Sequence, residues 1–320
     1  VVEPKSWNCN GSIPTSVPVI LVLHGYGANM YEPYANWAPP YCAYFIYPYD
    51  QSETWWFGFA HTNDYRTRQQ PAAGDIIVNY TEQRILRMIY DLIRAPISAA
   101  VDLERIYVYG HSMGGSGTLA LALRYPDVFA AAYSSQPMTN YRTSTYNNGF
   151  FIQDASIKWG SPALNLPVWM DAPGGWNRVL MDYEGTGVWD WQNHQEMAQV
   201  LSHDFVPFGV AHGMEDDVID WQNQGAPFYP LLDDAGQTWA GAITDDHHHD
   251  ESFDLLPPTL APDNNGVPFA GLRVKKNETV PGFANASSNP PFPDAILYRY
   301  NTAIRWAATW NTWDEAPVDN

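Results

Sequence analysis

Cysteine, positive charge and long apolar runs are all scarce in this sequence. Only Cys9 and Cys42 occur, too few for a zinc-finger framework and without metal-ligand spacing around them. They flank the first predicted strand pair. One disulfide and two buried thiols are equal alternatives, because sequence cannot give their separation. Basic residues number 16 against 35 acidic ones, for a formal charge of -19. Such a surface repels phosphates and disfavours nucleic acid as a partner. It suits a neutral, cationic or insoluble substrate, and it also keeps an exported chain soluble. No run of 18 apolar residues exists, so nothing is predicted to span a bilayer and no membrane partner is expected. The opening VVEPKSWNC lacks a basic start and an apolar signal core, so any signal peptide is expected to have been removed or never present.

Hydrophobic residues make up 45% of the 320, enough for a packed interior. Aromatics are plentiful at 14 Trp, 20 Tyr and 13 Phe, and many of them are expected in the core. Two clusters, Trp55-Trp56-Phe57 and Trp189-Asp190-Trp191, fall in stretches that read as loops. Exposed rings there would stack on sugars, phenols or polymer surfaces, whereas core packing is the plainer role for each ring alone. Four glycosylation-type sequons (Asn10, Asn79, Asn277, Asn285) matter only in a eukaryotic secretory pathway.

Strands and helices alternate along the chain. Val17–Leu23 is a continuous apolar run of strand length, as expected for a sheet covered on both faces. A second strand is predicted over Tyr41–Tyr49, then a helix over Thr81–Ala95 with Ile85, Met88, Ile89, Leu92 and Ile93 at helical spacing. Leu103–Tyr109 is the next strand, and Ser116–Tyr125 returns to helix. Strands follow at Val128–Ser134, Phe205–Ala211 and Trp239–Thr244, with a helix over Phe228–Gly236 between the last two. The alternation predicts an α/β fold with a mostly parallel central sheet and helices on both faces. Residues 136–203 break the rhythm and read as a loop-and-helix insertion over the sheet edge. Residues 1–256 then form one domain, and 257–320 a small C-terminal extension. That extension is β-rich, since Ala295–Trp310 alternates like a half-buried strand.

Gly110-His-Ser-Met-Gly114 lies between a predicted strand and a predicted helix. A serine on such a turn takes a strained backbone, and glycines two residues away on each side leave room for it. Ser112 is therefore the candidate nucleophile, and it needs a base and a group to orient that base. Candidate acids lie in His212-Gly-Met-Glu-Asp-Asp-Val-Ile219, directly after a strand. Asp216 begins the turn, with Glu215, Asp217 and Asp220 as alternatives. The base falls in Asp245-Asp-His-His-His-Asp-Glu251. Counting from Gly236 favours His249, with His248 as runner-up and His247 open. A divalent-metal cluster is the competing reading, but adjacent strand side chains face opposite ways and no metal site is predicted. The backbone N–H groups of Met113 and Tyr26 are the candidate oxyanion donors, and His24 braces the Tyr26 loop. Tyr26, Trp55, Trp56 and Trp189 are candidate substrate walls.

His24-Gly-Tyr-Gly27, Arg105 to Gly115 and His212-Gly-x-x-Asp216 resemble the polyhydroxybutyrate depolymerase and feruloyl esterase-like branch of the α/β-hydrolases, over residues 17–255. The resemblance implies a Ser–Asp–His triad, an acyl-enzyme, no cofactor, an ester substrate of polymeric or aromatic character, and export to the periplasm or medium. It places Tyr26 and Met113 at the oxyanion hole. The insertion at 136–203 and the tail after 257 match nothing in that branch. A serine peptidase of prolyl-oligopeptidase type shares the triad logic, but its large propeller domain finds no room in 320 residues. A carbohydrate-binding protein on a decayed hydrolase scaffold is a third reading, opposed by the retained serine, acid and histidine.

Overall fold

A computed structural model of the chain describes residues 1–31, 42–64, 66–244, 248–249 and 274–278, and the backbone of three strands between 297 and 315. The elements bearing on the site are, in chain order, β1 (Ser16–Leu23), β2 (Tyr44–Ile46), β3 (Phe59–Ala60), β4 (Ile77–Val78), α1 (Tyr80–Arg94), β5 (Ala100–His111), α2 (Met113–Arg124) and β6 (Ala131–Ser135). They continue as α3 (Phe150–Trp159), β7 (Val168–Trp169), α4 (Val188–Trp191), α5 (His194–Val200), β8 (Phe208–Gly213), α6 (Gly225–Ala235) and β9 (Trp239–Thr244). The strands β10 (Leu297–Tyr300), β11 (Ile304–Ala307) and β12 (Thr312–Glu315) follow.

Seven strands form the main sheet in the order β10-β9-β8-β6-β5-β1-β2, parallel throughout except for antiparallel β10. The continuous apolar character of β1 has its cause in that sheet. Val17, Val19, Leu21 and Leu23 join the larger core cluster, while Ile20 and Val22 join the smaller one on the opposite face. The helix α1 lays Ile85, Leu86, Ile89 and Leu92 into the larger cluster. The helix α2 is buried along its whole length. Its last residue, Arg124, donates to Glu82 of α1 at 2.6 Å and to Trp191 O and Gln192 Oε1 at 2.8 Å, tying α1, α2 and α4 together. Cys9 and Cys42 are joined in a disulfide. Among the described residues, no helix is long and apolar enough to cross a membrane.

Several expected boundaries move. The second strand shortens to Tyr44–Ile46, and the strand expected from Val128 begins at Ala131. A Tyr125 to Phe129 turn, closed by Val128 N–H and Phe129 N–H donating to Tyr125 O, uses the first residues of that apolar run. The insertion contains α3, α4, α5 and several single 3-10 turns, and its β7 pairs with β4 to complete a small sheet, β3-β4-β7. In the C-terminal segment, β10 pairs with β9 and so extends the main sheet, while β11 and β12 pair with each other.

The chain runs outward from β1 to β2, then returns to β5 on the other side and proceeds through β6, β8 and β9. The order reverses between β1 and β5, and in sheets of this kind ligands bind beyond the carboxyl ends of the strands at that crevice. The carboxyl ends of the parallel strands β1, β5, β6, β8 and β9 all face that side of the sheet.

Candidate active site

Ser112 is the single residue between β5 and α2, at φ 57° and ψ -121°. A non-glycine residue held there costs about 1–3 kcal/mol, which the surroundings must offset. Close packing around the turn explains its glycines. A Cβ on Gly110 would stand 2.3 Å from Gly114 O, and one on Gly114 would stand 2.1 Å from Leu23 O. Neither position has space for a side chain, so strand, turn and helix lock against the end of β1. Ser112 N–H donates to Ser135 O at 2.9 Å, fixing the turn to the end of β6.

Ser112 Oγ lies 2.8 Å from His249 Nε2, and His249 Nδ1 lies 2.8 Å from Asp216 Oδ2. An ionised carboxylate only accepts, so Nδ1–H donates to Asp216 and Nε2 is left to accept from the serine hydroxyl. Asp216 is held in turn: its Oδ1 accepts from Val218 N–H and Ile219 N–H, both at 2.8 Å. The other candidates lie elsewhere. His248 points outward, with Nδ1 donating to Glu215 O at 2.9 Å. Glu215 and Asp217 are exposed. Asp220 accepts from Asn223 and Thr145. His247 lies outside the described residues.

The β1 loop passes beside the nucleophile: a Cβ on Gly25 would be 3.7 Å from Ser112 Cβ. His24 braces this loop, donating from Nδ1 to Gly25 O at 2.8 Å and accepting at Nε2 from Asp50 N–H at 3.0 Å. Gly27 N–H donates to Glu53 Oε1 at 2.8 Å. Tyr26 N–H and Met113 N–H thus belong to the two segments that flank Ser112, one after β1 and one opening α2.

Two further imidazoles are kept neutral. Burial, then the charge His249 would carry, pushes His111 down to about 3. Its Nδ1 lies 3.0 Å from Ser135 Oγ, and its ring centroid is 5.0 Å from that of His249. Burial pushes His212 down to about 4, and its Nε2 donates to Pro137 O at 3.1 Å. A neutral His111 adds no positive charge beside the base.

Three expected substrate walls are corrected. Trp55, Trp56 and Trp189 are each 1% exposed or less, so none can touch a ligand. They sit in segments that look like loops in sequence but are folded into the interior. Trp55 packs edge-on against Tyr141 and Phe151. Trp56 covers Gly117 and donates from Nε1 to His24 O at 3.2 Å. Trp189 packs on Trp159 and donates from Nε1 to Gly160 O at 3.0 Å. Tyr26 stays half-buried, in edge contact with Phe150 at 5.8 Å between centroids. Phe150 is 38% exposed, and nothing in the sequence distinguished it from the other insertion aromatics.

Residues 18–161 match a family model described as alpha/beta hydrolase fold, and residues 95–253 match the prolyl oligopeptidase family. Cutinase 2 of Thermobifida cellulosilytica is 28% identical over 124 residues, covering 38% of this chain and 43% of that protein. A cutinase of Thermobifida fusca is likewise 28% identical over 124 residues, covering 38% of this chain and 35% of that protein. The matched region thus spans less than half the length of these curated relatives. An acylaminoacyl peptidase solved with a chloromethyl ketone superposes with TM-score 0.50 at 19% identity, covering 88% of this chain and 40% of that one. With its doubly wound sheet and its serine at the strand–helix turn, the chain has the α/β-hydrolase fold.

Proposed function

We propose that this protein is a serine carboxylic-ester hydrolase working through an acyl-enzyme. The observation that carries the reading is the continuous hydrogen-bonded line Ser112 Oγ, His249, Asp216 on a strained turn. His249 Nε2 takes the hydroxyl proton as Ser112 Oγ bonds to the ester carbonyl carbon. Met113 N–H and Tyr26 N–H stabilise the resulting oxyanion. Protonated His249 then gives its proton to the departing alcohol. Water, deprotonated by the same imidazole, attacks the acyl-serine and releases the acid. Asp216 holds the imidazole tautomer and offsets its transient positive charge.

For the substrate we favour feruloyl or acetyl esters of plant polysaccharide, or a polyester. Tyr26, half-buried in the loop that passes beside Ser112, and Phe150, exposed and set edge-on against it, offer apolar rings to an acyl group, and the acidic surface suits an uncharged polymer. The cutinase matches support ester chemistry. Export to the periplasm or medium is supported by the Cys9–Cys42 disulfide, which persists in oxidising compartments. A peptidase reading is favoured by one observation, the prolyl oligopeptidase match over the segment carrying all three residues.

Turnover of p-nitrophenyl esters, methyl ferulate, a polyester emulsion and a peptide anilide separates the two. Hydrolysis of the esters with little of the anilide is expected. Cleavage of the anilide alone would replace the esterase reading with the peptidase one.

A further inference from the structure

We propose that Gln136 is a positioning residue that holds the base-bearing and acid-bearing loops in register on the end of β6. The proposal rests on the reading of Ser112, His249 and Asp216 as the reacting groups. Gln136 is fully buried and has φ 48°, a backbone conformation uncommon outside glycine. Its main-chain N–H donates to Ala211 O at 2.8 Å, tying it to β8. Its carboxamide reaches two other segments: Oε1 accepts from Gly213 N–H at 2.8 Å, and Nε2 donates to His248 O at 3.3 Å. Gly213 stands three residues before Asp216, and His248 immediately precedes His249.

The preceding residue completes the hub. Ser135 O accepts from Ser112 N–H, and Ser135 Oγ lies 3.0 Å from the ring of His111, which packs on His249. Two consecutive residues therefore touch the turns carrying nucleophile, acid and base. Only a primary carboxamide of this length can accept from one loop and donate to the other. A carboxylate in its place offers no donor to the His248 carbonyl, and Asn is one methylene shorter. The uncommon backbone aims the side chain back across the strand ends, where strained residues characteristically gather.

Because proton transfer depends on His249 Nε2 staying within hydrogen-bond reach of Ser112 Oγ, a shift of the His248 peptide acts on kcat before it acts on substrate binding. The test uses the full chain and two variants. Gln136→Gly removes the amide while easing the positive φ, and Gln136→Glu keeps an acceptor but not the donor. Both are expected to lower kcat by about tenfold to a hundredfold, as misplacement by an ångström does. KM should stay within about twofold, since the residue touches no substrate. The far-downfield proton resonance of His249 Nδ1–H should broaden or move in both. A packing variant, Trp189→Phe, should leave that resonance in place even if its Tm falls.

Unchanged kcat with an unmoved resonance would overturn the proposal. So would a loss of activity that merely follows Tm, with the resonance intact. Ser112→Ala separates the two levels. If it is inactive while Gln136→Gly is normal, only the positioning role fails. If Ser112→Ala turns over ester at the parental rate, the Ser112 acyl-enzyme reading fails, and the resonance alone still reports whether Gln136 sets His249.

Discussion

Replacing Asp216 by Asn changes almost no atoms, yet the surrounding hydrogen bonds determine which way the new amide must face. In the protein Oδ1 accepts two backbone donors, Val218 N–H and Ile219 N–H, each at 2.8 Å, while Oδ2 accepts from His249 Nδ1. In Asp216→Asn the amide NH2 cannot face the two donors without losing both bonds, at about 1 kcal/mol each and more for buried groups left unpaired. The amide oxygen therefore stays on the Val218–Ile219 side and the NH2 turns to His249. Nδ1 must then present its lone pair, and the ring proton moves to Nε2. That proton points at Ser112 Oγ, so the imidazole no longer accepts the hydroxyl hydrogen. A wrong tautomer of this kind costs about 10⁴ in kcat, or about 5.4 kcal/mol of transition-state stabilisation. Steady-state kinetics on a p-nitrophenyl ester gives the rate, and nitrogen chemical shifts of the labelled imidazole give the tautomer. A fall in kcat of less than tenfold, or a retained Nδ1 proton, would refute the reasoning.

Stability should depend on pH through buried imidazoles. His111 and His212 are held near 3 and 4 by burial, against about 6.5 in the unfolded chain, so between those values the unfolded state binds protons the folded state does not. Their contribution is therefore complete above pH 6.5 and is lost as pH falls, by about 1.4 kcal/mol per pH unit for each group; a urea midpoint that stays flat from pH 7 to 5 would contradict this. Reduction of the Cys9–Cys42 disulfide, which closes a separation of 33 residues, is expected to cost about 3–4 kcal/mol, read as a lower Tm in dithiothreitol. Trp189→Ala should cost about 3–5 kcal/mol of stability as a core truncation, whereas Phe150→Ala should leave Tm unchanged and raise KM for a bulky aryl ester. The opposite pattern in melts and kinetics would return Trp189 to the substrate wall.

Long, continuous signals were legible in the sequence. β1, α1 and β9 lie where apolar runs or helical spacing placed them, because each buries enough side chains to leave a pattern. The turn around Ser112 was legible for a local reason, since a Cβ at either of two glycines there would stand within 2.5 Å of a backbone oxygen and so only glycine fits. The small sheet β3-β4-β7 left no such trace: strands of two residues have no periodicity, and β7 comes from the distant insertion. Gln136 was invisible for a different reason. Its meaning lies in bonds to residues 77 and 112 positions away, and no short motif encodes such convergence. The tryptophans misled because a Gly- and Asn-rich segment reads as surface even where its rings fill an interior, as Trp159, Trp189 and Trp191 do.

In the proposed reaction Ser112 Oγ becomes acylated. Rapid quenching of the protein during turnover of a p-nitrophenyl ester, followed by peptide mass mapping, measures this directly. The acyl mass is expected on the peptide containing Ser112, and is expected to disappear in Ser112→Ala together with turnover. Steady ester hydrolysis with the acyl group on another residue, or undiminished in Ser112→Ala, would contradict it.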